Sequence, residues 1–201
     1  MKEKIPLSFY RSKDVVSIAK KLIGKRLCTN FDNKFTSGII IETEAYAGIT
    51  DKASHAFGGK LTDRTKTMYD DAGTAYVYLC YGIHHLFNIV TNKKGIPHAI
   101  LIRAILPEEG IETMMKRRKK KTIDKTFSGG PGTVSKALGI QVKHSGKSLL
   151  ENEIWVEETG IKIPKKEIIA GPRIGVDYAG EDAKLPYRFL LHSKFKLIEH
   201  G

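Results

Sequence analysis

The segment from Thr74 to Val90, TAYVYLCYGIHHLFNIV, constrains the fold more than any other part of the chain. Two apolar runs of strand-forming residues, Tyr76–Leu79 and Ile83–Val90, flank the dipeptide Tyr81-Gly82. Such runs on either side of a short glycine-containing turn predict an antiparallel β-hairpin. Tyr81 then lies at the tip, where a large ring has little protein to pack against. We expect it to be exposed, unless its ring folds back onto the core.

The charge balance indicates what an exposed ring could meet. The chain has 201 residues, with 34 Lys and Arg against 22 Asp and Glu, which gives a net charge of +12. A strongly basic protein favours phosphate backbones or other anionic surfaces as partners. In such a protein, an aromatic side chain at a tip can be wedged between stacked bases. Hydrophobic residues make up 41% of the chain, which is ordinary for globular proteins, and we expect one domain over residues 1–201.

The sequence offers no signal for export, membrane insertion or metal binding. Its start, MKEKIPLSFYRSK, lacks a long apolar run, and no stretch approaches the roughly 20 apolar residues of a membrane span. Cys28 and Cys80 are the only two cysteines and lie far apart in the chain. We expect a cytoplasmic protein with reduced thiols, no membrane association, no structural disulfide and no metal.

Two further strands carry charged residues. Thr36–Tyr46 reads as a strand, and its two-residue period places Glu42, Glu44 and Tyr46 on one face. Ile96–Leu106 reads as another strand, with Arg103 in its middle. A charge in so apolar a strand needs a partner, so Arg103 belongs either to a core ion pair or to a functional site.

Helices and loops are predicted around these strands. Ser12 is a suitable N-cap for a helix that stops at Gly24, and Pro107 is predicted to open a second helix with an acidic first turn. That helix ends in the basic run Lys116–Lys121, followed by a mobile loop over Thr122–Gly132. Pro131 is predicted to start a third helix, whose Gly-rich N-terminus suits an anion. Short strands are predicted over Leu149–Leu197.

The stretch Ala47–Gly73 has no sustained periodicity. So long an irregular segment is usually either a functional loop or disordered. Its polar residues favour a functional loop, and they are His55, Thr62, Arg64 and Lys66, together with Met68.

One carboxylate sharing a strand face with a tyrosine, a loop histidine, a tip tyrosine and an arginine in an apolar strand could form a pocket for an extruded base. The acid would orient or deprotonate a water against the sugar carbon. No paired carboxylates and no nucleophilic Ser or Cys motif are evident. From these residues alone, a non-catalytic nucleic-acid-binding module or an RNA-associated protein remains an alternative.

Several ordered motifs are more specific. The chain resembles the alkyladenine (3-methyladenine, or methylpurine) DNA glycosylase family over roughly Leu7 to Leu197. The matching motifs are ETEAY (42–46), H-x-x-GG (55–59), YVY-x-x-YG (76–82), Asn88, LIRA (101–104), SGGPG (128–132) and PRIGV-x-x-AG (172–180). The resemblance implies a monofunctional enzyme that flips alkylated or deaminated purines out of duplex DNA and hydrolyses their N-glycosidic bond.

The resemblance also implies roles for individual residues. Glu44 would activate the water, with Arg103 and the main-chain carbonyl of Ile174. Tyr46 would stack on one face of the flipped base, and His55 with Tyr78 on the other, while the backbone N–H of His55 would read the base edge.

Asn88, by the same resemblance, would stand at the pocket floor and disfavour normal guanine, and Tyr81 would fill the gap in the duplex. Thr62, Arg64 and Met68 would contact the DNA backbone and groove. The family commonly has a lysine where this chain has Thr133, so a phosphate contact at that position is not carried over. A strict two-residue turn at Tyr81-Gly82 would place Asn88 opposite Ala75, on the face away from Tyr78. Either the turn is longer, a bulge intervenes, or Asn88 reaches the pocket by another route.

We therefore expect an α+β fold with a mixed, mostly antiparallel curved sheet, packed helices and a protruding hairpin. The expected partner is double-stranded DNA with damaged purines. We expect no cofactor and no obligate protein partner, and a monomer.

Overall fold

The computed structural model describes residues 3–192 and has the predicted α+β architecture. The last part of the predicted C-terminal strand, beyond His192, lies outside the described residues. The strands are β1 (Arg26–Phe31), β2 (Lys34–Tyr46), β3 (Ala75–Cys80), β4 (His84–Thr91), β5 (His98–Glu109), β6 (Ile154–Glu157), β7 (Ile168–Gly171) and β8 (Arg188–Leu191). The α-helices are α1 (Leu7–Tyr10), α2 (Val15–Leu22), α3 (Ile111–Arg118), α4 (Lys125–Ser128) and α5 (Pro131–Leu138).

The eight strands form one sheet in which every pairing is antiparallel. Its main path runs β3-β4-β5-β2-β1-β6, and β8 joins β2 to β7. The long strand β2 organises the sheet. It pairs with β5 along most of its length on one side, and with β1 and then β8 on the other. Both edges of β2 are thus occupied where it carries its charged residues.

Alternation along the strands separates two faces of the sheet. Val77, Phe87 and Ile100 point to one face and are buried in the main hydrophobic core. Thr43 points the same way, since its hydroxyl donates to the carbonyl of Ala19 in α2 at 2.9 Å. The neighbouring residue Glu44 therefore points to the opposite face, which we call the cavity face.

The N-cap of the first long helix lies two residues later than predicted. Asp14, not Ser12, is the N-cap of α2, and its Oδ1 atom accepts a hydrogen bond from the backbone N–H of Ser17 at 2.9 Å. Ile18 and Leu22 of α2 are almost completely buried against the sheet. The pattern stops at Gly24, which has a φ of +87°. The predicted helix is confirmed, but the prediction of Ser12 as its cap is wrong.

The prediction that Pro107 opens a helix is also wrong. β5 continues through Pro107 to Glu109, and the helix begins only at Ile111. Pro107 is tolerated because it lies opposite Gly38 at an irregular point of the β2–β5 ladder. Glu108 is drawn into the strand by an ion pair with Arg26 of β1 rather than serving the N-terminus of a helix.

The segment predicted as a mobile loop, Thr122–Gly132, contains the short helix α4. Phe127 is completely buried, and the hydroxyl of Ser128 donates to the carbonyl of Ile105 in β5 at 2.7 Å. These two contacts fasten the segment to the sheet, so the prediction of a mobile loop is not supported. The predicted helix at Pro131 is confirmed as α5.

The irregular stretch after β2 is a loop, as predicted. It contains only short 3-10 turns, at Gly48–Thr50, Phe57–Gly59 and Lys66–Tyr69. Further 3-10 turns occur at Val142–His144, Lys165–Glu167 and Asp177–Lys184. Within residues 3–192, no helix combines the length and the apolar character that crossing a membrane requires.

Candidate active site

A cavity of about 470 Å³ opens on the cavity face of the sheet. Its lining comes from strands β3, β4 and β5, from the end of β2, and from segments 53–68 and 174–178. Most of the predicted site residues line it, although they come from distant parts of the chain. They are Tyr46, His55, Arg64, Met68, Tyr78, Tyr81, Asn88, Arg103 and Ile174.

Glu44 lies directly behind this lining and has no exposed surface. Its Oε2 atom accepts a hydrogen bond from the hydroxyl of Tyr46 at 2.9 Å and one from Nη1 of Arg103 at 3.3 Å. Its Oε1 atom accepts one from the backbone N–H of Ile174 at 2.8 Å. The carboxylate is therefore held in one orientation by three groups that reach it from three segments.

The environment of Glu44 makes it a stronger base than an ordinary carboxylate. Burial raises its pKa, and the nearby Glu42 raises it further. Arg103, the N–H of Ile174 and the Tyr46 hydroxyl oppose this effect by stabilising the charged form. A carboxylate with a raised pKa accepts a proton from water more readily, which is what general-base catalysis needs.

Arg103 reaches Glu44 from an irregular point in the sheet. In the β2–β5 ladder, Glu42 pairs with Ala104 and Thr43 with Ile102, so Arg103 is left without a partner in β2. A bulge of this kind re-aims a side chain. The first of the two alternatives left open by the sequence is confirmed, because Arg103 makes buried ion pairs with Glu42 and Glu44. Arg103 also lines the candidate cavity.

Aromatic rings from separate segments line the cavity. The guanidinium of Arg173 lies 4.9 Å from the ring centre of Tyr46. The rings of His55 and Tyr78 meet edge to face with centres 4.7 Å apart. Tyr76 packs behind them, 5.4 Å from Tyr78. The cavity therefore presents ring surfaces that suit a planar apolar ligand.

The hydrogen bonds of His55 indicate its tautomer. Its Nε2 atom lies 3.2 Å from Nη2 of Arg64, which can only donate, so Nε2 accepts. The proton of the neutral ring is then on Nδ1 and is donated to the hydroxyl of Tyr76 at 3.0 Å. Burial, together with Arg64, lowers the pKa of His55 to about 4. His55 is therefore neutral near pH 7.

The hairpin has a three-residue turn. Cys80 pairs with His84 across residues 81–83, and Tyr81 and Gly82 have φ values of +50° and +71°. Because the turn has three residues rather than two, Asn88 pairs with Tyr76 instead of Ala75 and points to the cavity face. The Nδ2 atom of Asn88 donates to the carbonyls of Tyr76 and Leu86, at 3.2 and 3.3 Å.

The ring of Tyr81 is 91% exposed, as the hairpin predicted, and does not fold back onto the core. Leu79 and Ile83 on the same hairpin are also exposed, at 43% and 71%. Three neighbouring apolar side chains at a protruding tip form an uncovered wedge beside the mouth of the cavity.

The three loop residues predicted to contact DNA lie in different environments. Thr62 and Arg64 are exposed. Met68 is only 2% exposed and packs against Ala56 and Tyr76. Its prediction as a groove contact is therefore not supported, because its side chain supports the cavity wall instead.

Four residues at the site were not assigned a role from the sequence. Glu42 accepts hydrogen bonds from Arg103 and Arg188, and Arg173 forms a buried ion pair with Asp51. Glu42 could have been found from the strand period that places it beside Glu44. Arg173 lies in the PRIGV motif, but no local pattern pairs it with Asp51 or pairs Arg188 with Glu42, since these partners are more than a hundred residues apart in the chain.

A basic groove of about 910 Å³ lies on the other side of the hairpin from the cavity. It reaches the Gly-rich start of α5 and continues along its side. Most of its charged residues are cations, and its lining includes Ile83, His84, His85, Arg117, Gly132, Thr133, Lys136 and Lys143. Among residues 3–192, no three His, Cys, Asp or Glu side chains are arranged to hold a metal ion.

Known proteins of similar sequence identify the family of this chain. The sequence pattern of the methylpurine-DNA glycosylase family matches residues 8–194. A protein of Chlamydia felis is 46% identical over 191 residues, covering 94% of this chain and 97% of that protein. Proteins of Bacillus cereus and Clostridium perfringens are 44% and 43% identical, and each alignment covers at least 91% of both chains. All three carry the name "Putative 3-methyladenine DNA glycosylase". The chain therefore belongs to the methylpurine-DNA glycosylase family.

Proposed function

We propose that this chain is a monofunctional DNA glycosylase of base excision repair that acts on alkylated or deaminated purines. It rotates the damaged nucleotide out of duplex DNA into the 470 Å³ cavity and hydrolyses the N-glycosidic bond with a water activated by Glu44. The observation that carries this proposal is the buried carboxylate of Glu44, held by Tyr46, Arg103 and Ile174 at the back of a cavity with aromatic walls.

The hydrogen bonds of Glu44 leave one acceptor site that a water can use. Oε1 accepts one hydrogen bond, from Ile174, and a carboxylate oxygen has a second acceptor site. The side chain is fully buried, so the water enters with a small shift of the exposed segment at Ile174 when the nucleotide binds. The water oxygen then bonds to C1′ of the sugar as the bond from C1′ to the purine breaks. Glu44 takes the proton, and the purine leaves with the bonding electrons.

The damaged base would lie between Tyr46 and the pair formed by His55 and Tyr78. Among residues 3–192, no acceptor takes the backbone N–H of His55, so it is available to an acceptor on the base edge. Asn88 has its amide nitrogen committed to two backbone carbonyls and is 3% exposed. A side chain held this firmly at the floor would clash with the exocyclic amine of guanine.

The surface around the cavity suits duplex DNA. Tyr81 would enter the stack and fill the space of the extruded base, which offsets part of the cost of extrusion. Arg64 and Thr62 would contact the DNA on one side of the hairpin, and the cations of the basic groove would meet phosphates on the other. All these groups come from one chain, which supports action as a monomer without a protein partner.

The residues around the cavity also support hydrolysis without strand cleavage. A lyase reaction needs an amine that forms a Schiff base with the sugar. The described residues that line the cavity include no lysine. The product of the proposed reaction is therefore an intact strand with an abasic site.

A panel of duplex oligonucleotides tests this function. Duplexes with one hypoxanthine, ethenoadenine or 7-methylguanine are incubated with the wild type and with Glu44→Gln. We expect the wild type to release at least one of these bases and leave an alkali-labile site with no nick before alkali treatment. Glu44→Gln should bind the lesion duplex and release no base. Equal release by both proteins, or binding without release by the wild type, would contradict the proposal.

A further inference from the structure

A second buried carboxylate lies beside Glu44. Glu42 is two residues earlier on β2, and its side chain is 10% exposed. Its Oε1 atom accepts a hydrogen bond from Nε of Arg103 at 3.2 Å, while Nη1 of the same guanidinium donates to Glu44 at 3.3 Å. Arg103 is thus shared between the two carboxylates.

One cation is not enough for two buried carboxylates. Two like charges in one site disfavour each other's ionisation. The interaction of Arg103 with Glu42 also weakens its interaction with Glu44. A second cation is present. Nη1 of Arg188 donates to the same Oε1 atom of Glu42 at 2.9 Å, and the side chain of Arg188 is 26% exposed. The four charges therefore alternate in sign from Arg188 through Glu42 and Arg103 to Glu44.

We propose that Arg188 is a positioning residue for the reaction, which neutralises Glu42 and so leaves the charge of Arg103 available to keep Glu44 ionised. This inference rests on the proposed role of Glu44 as the general base. Arg188 does not line the cavity, and its side-chain hydrogen bonds go to Glu42 and Pro172 rather than to Glu44, so its effect passes through Glu42 and Arg103.

Arg188 has a second contact that also leads to the site. Its Nε atom donates to the carbonyl of Pro172 at 2.9 Å, two residues before Ile174. In the sheet, Arg188 is opposite Glu44 of β2 on one side and Gly171 of β7 on the other. Its side chain therefore joins Glu42 to the segment whose N–H holds Glu44. The effect of the positive charge can be separated from the effect of the hydrogen bonds to Glu42 and Pro172, because Arg188→Lys keeps the charge and loses part of the hydrogen bonding.

The other groups that face Glu44 do not substitute for this pair. Arg103 and Arg173 act on it as permanent cations, and the hydroxyls of Tyr46 and Tyr178 have raised pKa values and stay neutral. Ile174 contributes a backbone dipole. Removing either Arg188 or Glu42 changes the local charge by one and leaves every group that is hydrogen-bonded to Glu44 in place.

The test measures single-turnover release of 7-methylguanine from a duplex as a function of pH. The fixed positive charge of this base removes the need to protonate the leaving group. The acid limb of the profile, where the rate falls towards low pH, therefore reports on the ionisation of the enzyme. The variants are Arg188→Met, Arg188→Lys, Glu42→Gln and the double variant Arg188→Met/Glu42→Gln, with far-UV circular dichroism as a check on folding.

We expect opposite shifts from the two single charge removals. Arg188→Met should move the acid limb up by about 1 pH unit and Glu42→Gln should move it down by a similar amount, since a neighbouring charge shifts a carboxyl pKa by about this much or more. The double variant should return close to the wild type. Arg188→Lys should keep the acid limb and change only the plateau rate.

A merely structural role predicts a different result. If Arg188→Met lowers the rate equally at every pH, or if the double variant does not restore the limb, the inference is overturned. If Arg188→Met does not fold, Glu42→Gln alone decides, and an unchanged or raised limb overturns the inference. Base release by Glu44→Gln would instead overturn the proposed function, so the two failures are distinguishable.

Discussion

The hydroxyl of Tyr46 donates a hydrogen bond to Oε2 of Glu44 at 2.9 Å, although the two residues are only two positions apart on β2. The ring proposed to stack on the base is therefore tied to the carboxylate proposed to activate the water. A shift of the ring on base binding would be transmitted to the carboxylate, which links base recognition to the reacting group.

Replacing Tyr46 with Phe should separate these two contributions. The ring remains, but Glu44 loses a hydrogen bond that lowers its pKa. The pKa of Glu44 should then rise. Because Glu44 is active as the general base only when it is ionised, the acid limb of the pH profile for purine release should move to higher pH. Lesion binding should be nearly unchanged. pH profiles and binding by fluorescence anisotropy measure the two effects.

Tyr46→Leu is the matched control for that prediction. It removes the ring as well as the hydroxyl, so lesion affinity should fall with the stacking energy, by about 1 to 3 kcal/mol. Weakened binding by Tyr46→Phe to the same degree would contradict a separable role for the hydroxyl.

Tyr81→Ala should weaken lesion recognition without affecting stability. The ring is 91% exposed, so the free energy of unfolding should stay within about 0.5 kcal/mol of the wild type. If the ring fills the gap in the duplex, its loss costs about 1 to 3 kcal/mol of stacking, or roughly 5- to 150-fold in affinity for a flipped-base complex. Anisotropy titrations and urea unfolding provide the two measurements. Tyr81→Phe should behave like the wild type, and equal losses in both variants would argue against stacking.

The stability of the fold should fall in mild acid, partly through His144. Its ring stacks on Phe31 at 4.0 Å, and its Nδ1 accepts from the backbone N–H of Gln141 at 3.0 Å. Burial, with Lys143 and Lys147, lowers its pKa to about 4 from 6.5. Between these two pKa values the unfolded chain binds more protons than the folded one. The contribution of His144 to the free energy of unfolding is therefore complete above pH 6.5 and is lost as the pH falls towards 4.

His144→Asn tests that linkage in urea unfolding at several pH values. The variant is less stable at pH 7 because it loses the stacked ring. The difference from the wild type should then shrink by about 1 to 3 kcal/mol between pH 7 and pH 4.5, because only the wild type has this group to titrate. A difference that is constant with pH would show that His144 is protonated normally in the folded protein.

Short-range patterns in the sequence accounted for the elements that carry the site. The two-residue period of β2 placed Glu44 and Tyr46 on one face, and the glycine turn predicted an exposed Tyr81. Both depend on backbone geometry that repeats over a few residues. The position of Asn88 did not follow in the same way, since one additional residue in the turn transfers every later side chain of β4 to the opposite face.

Contacts between distant segments could not be predicted. Pro107 looked like the start of a helix because its local surroundings are acidic, yet pairing with β2 and the ion pair of Glu108 with Arg26 keep it in a strand. Met68 looked like a loop contact and is buried under Tyr76. The link of Glu42 to Arg188 joins residues 146 positions apart. Tertiary packing decided each of these positions, and no local pattern encodes it.

Asn88 offers a test of how the cavity excludes normal bases. Its amide nitrogen is bound to the carbonyls of Tyr76 and Leu86, so its side chain cannot turn aside without breaking both hydrogen bonds. Hypoxanthine is guanine without the exocyclic amine, which makes the two bases a matched pair. In Asn88→Ala, the rate of guanine release relative to hypoxanthine release should increase by roughly 10-fold or more, the size expected when a clash of about 1.4 kcal/mol is removed. The variant should also lose about 1 to 2 kcal/mol of stability, because the two hydrogen bonds of the side chain are lost. Single-turnover assays on duplexes that differ only in this base measure the ratio. If the ratio stays at its wild-type value while stability falls, Asn88 supports the hairpin but does not select the base, and selection must then depend on how easily each purine leaves.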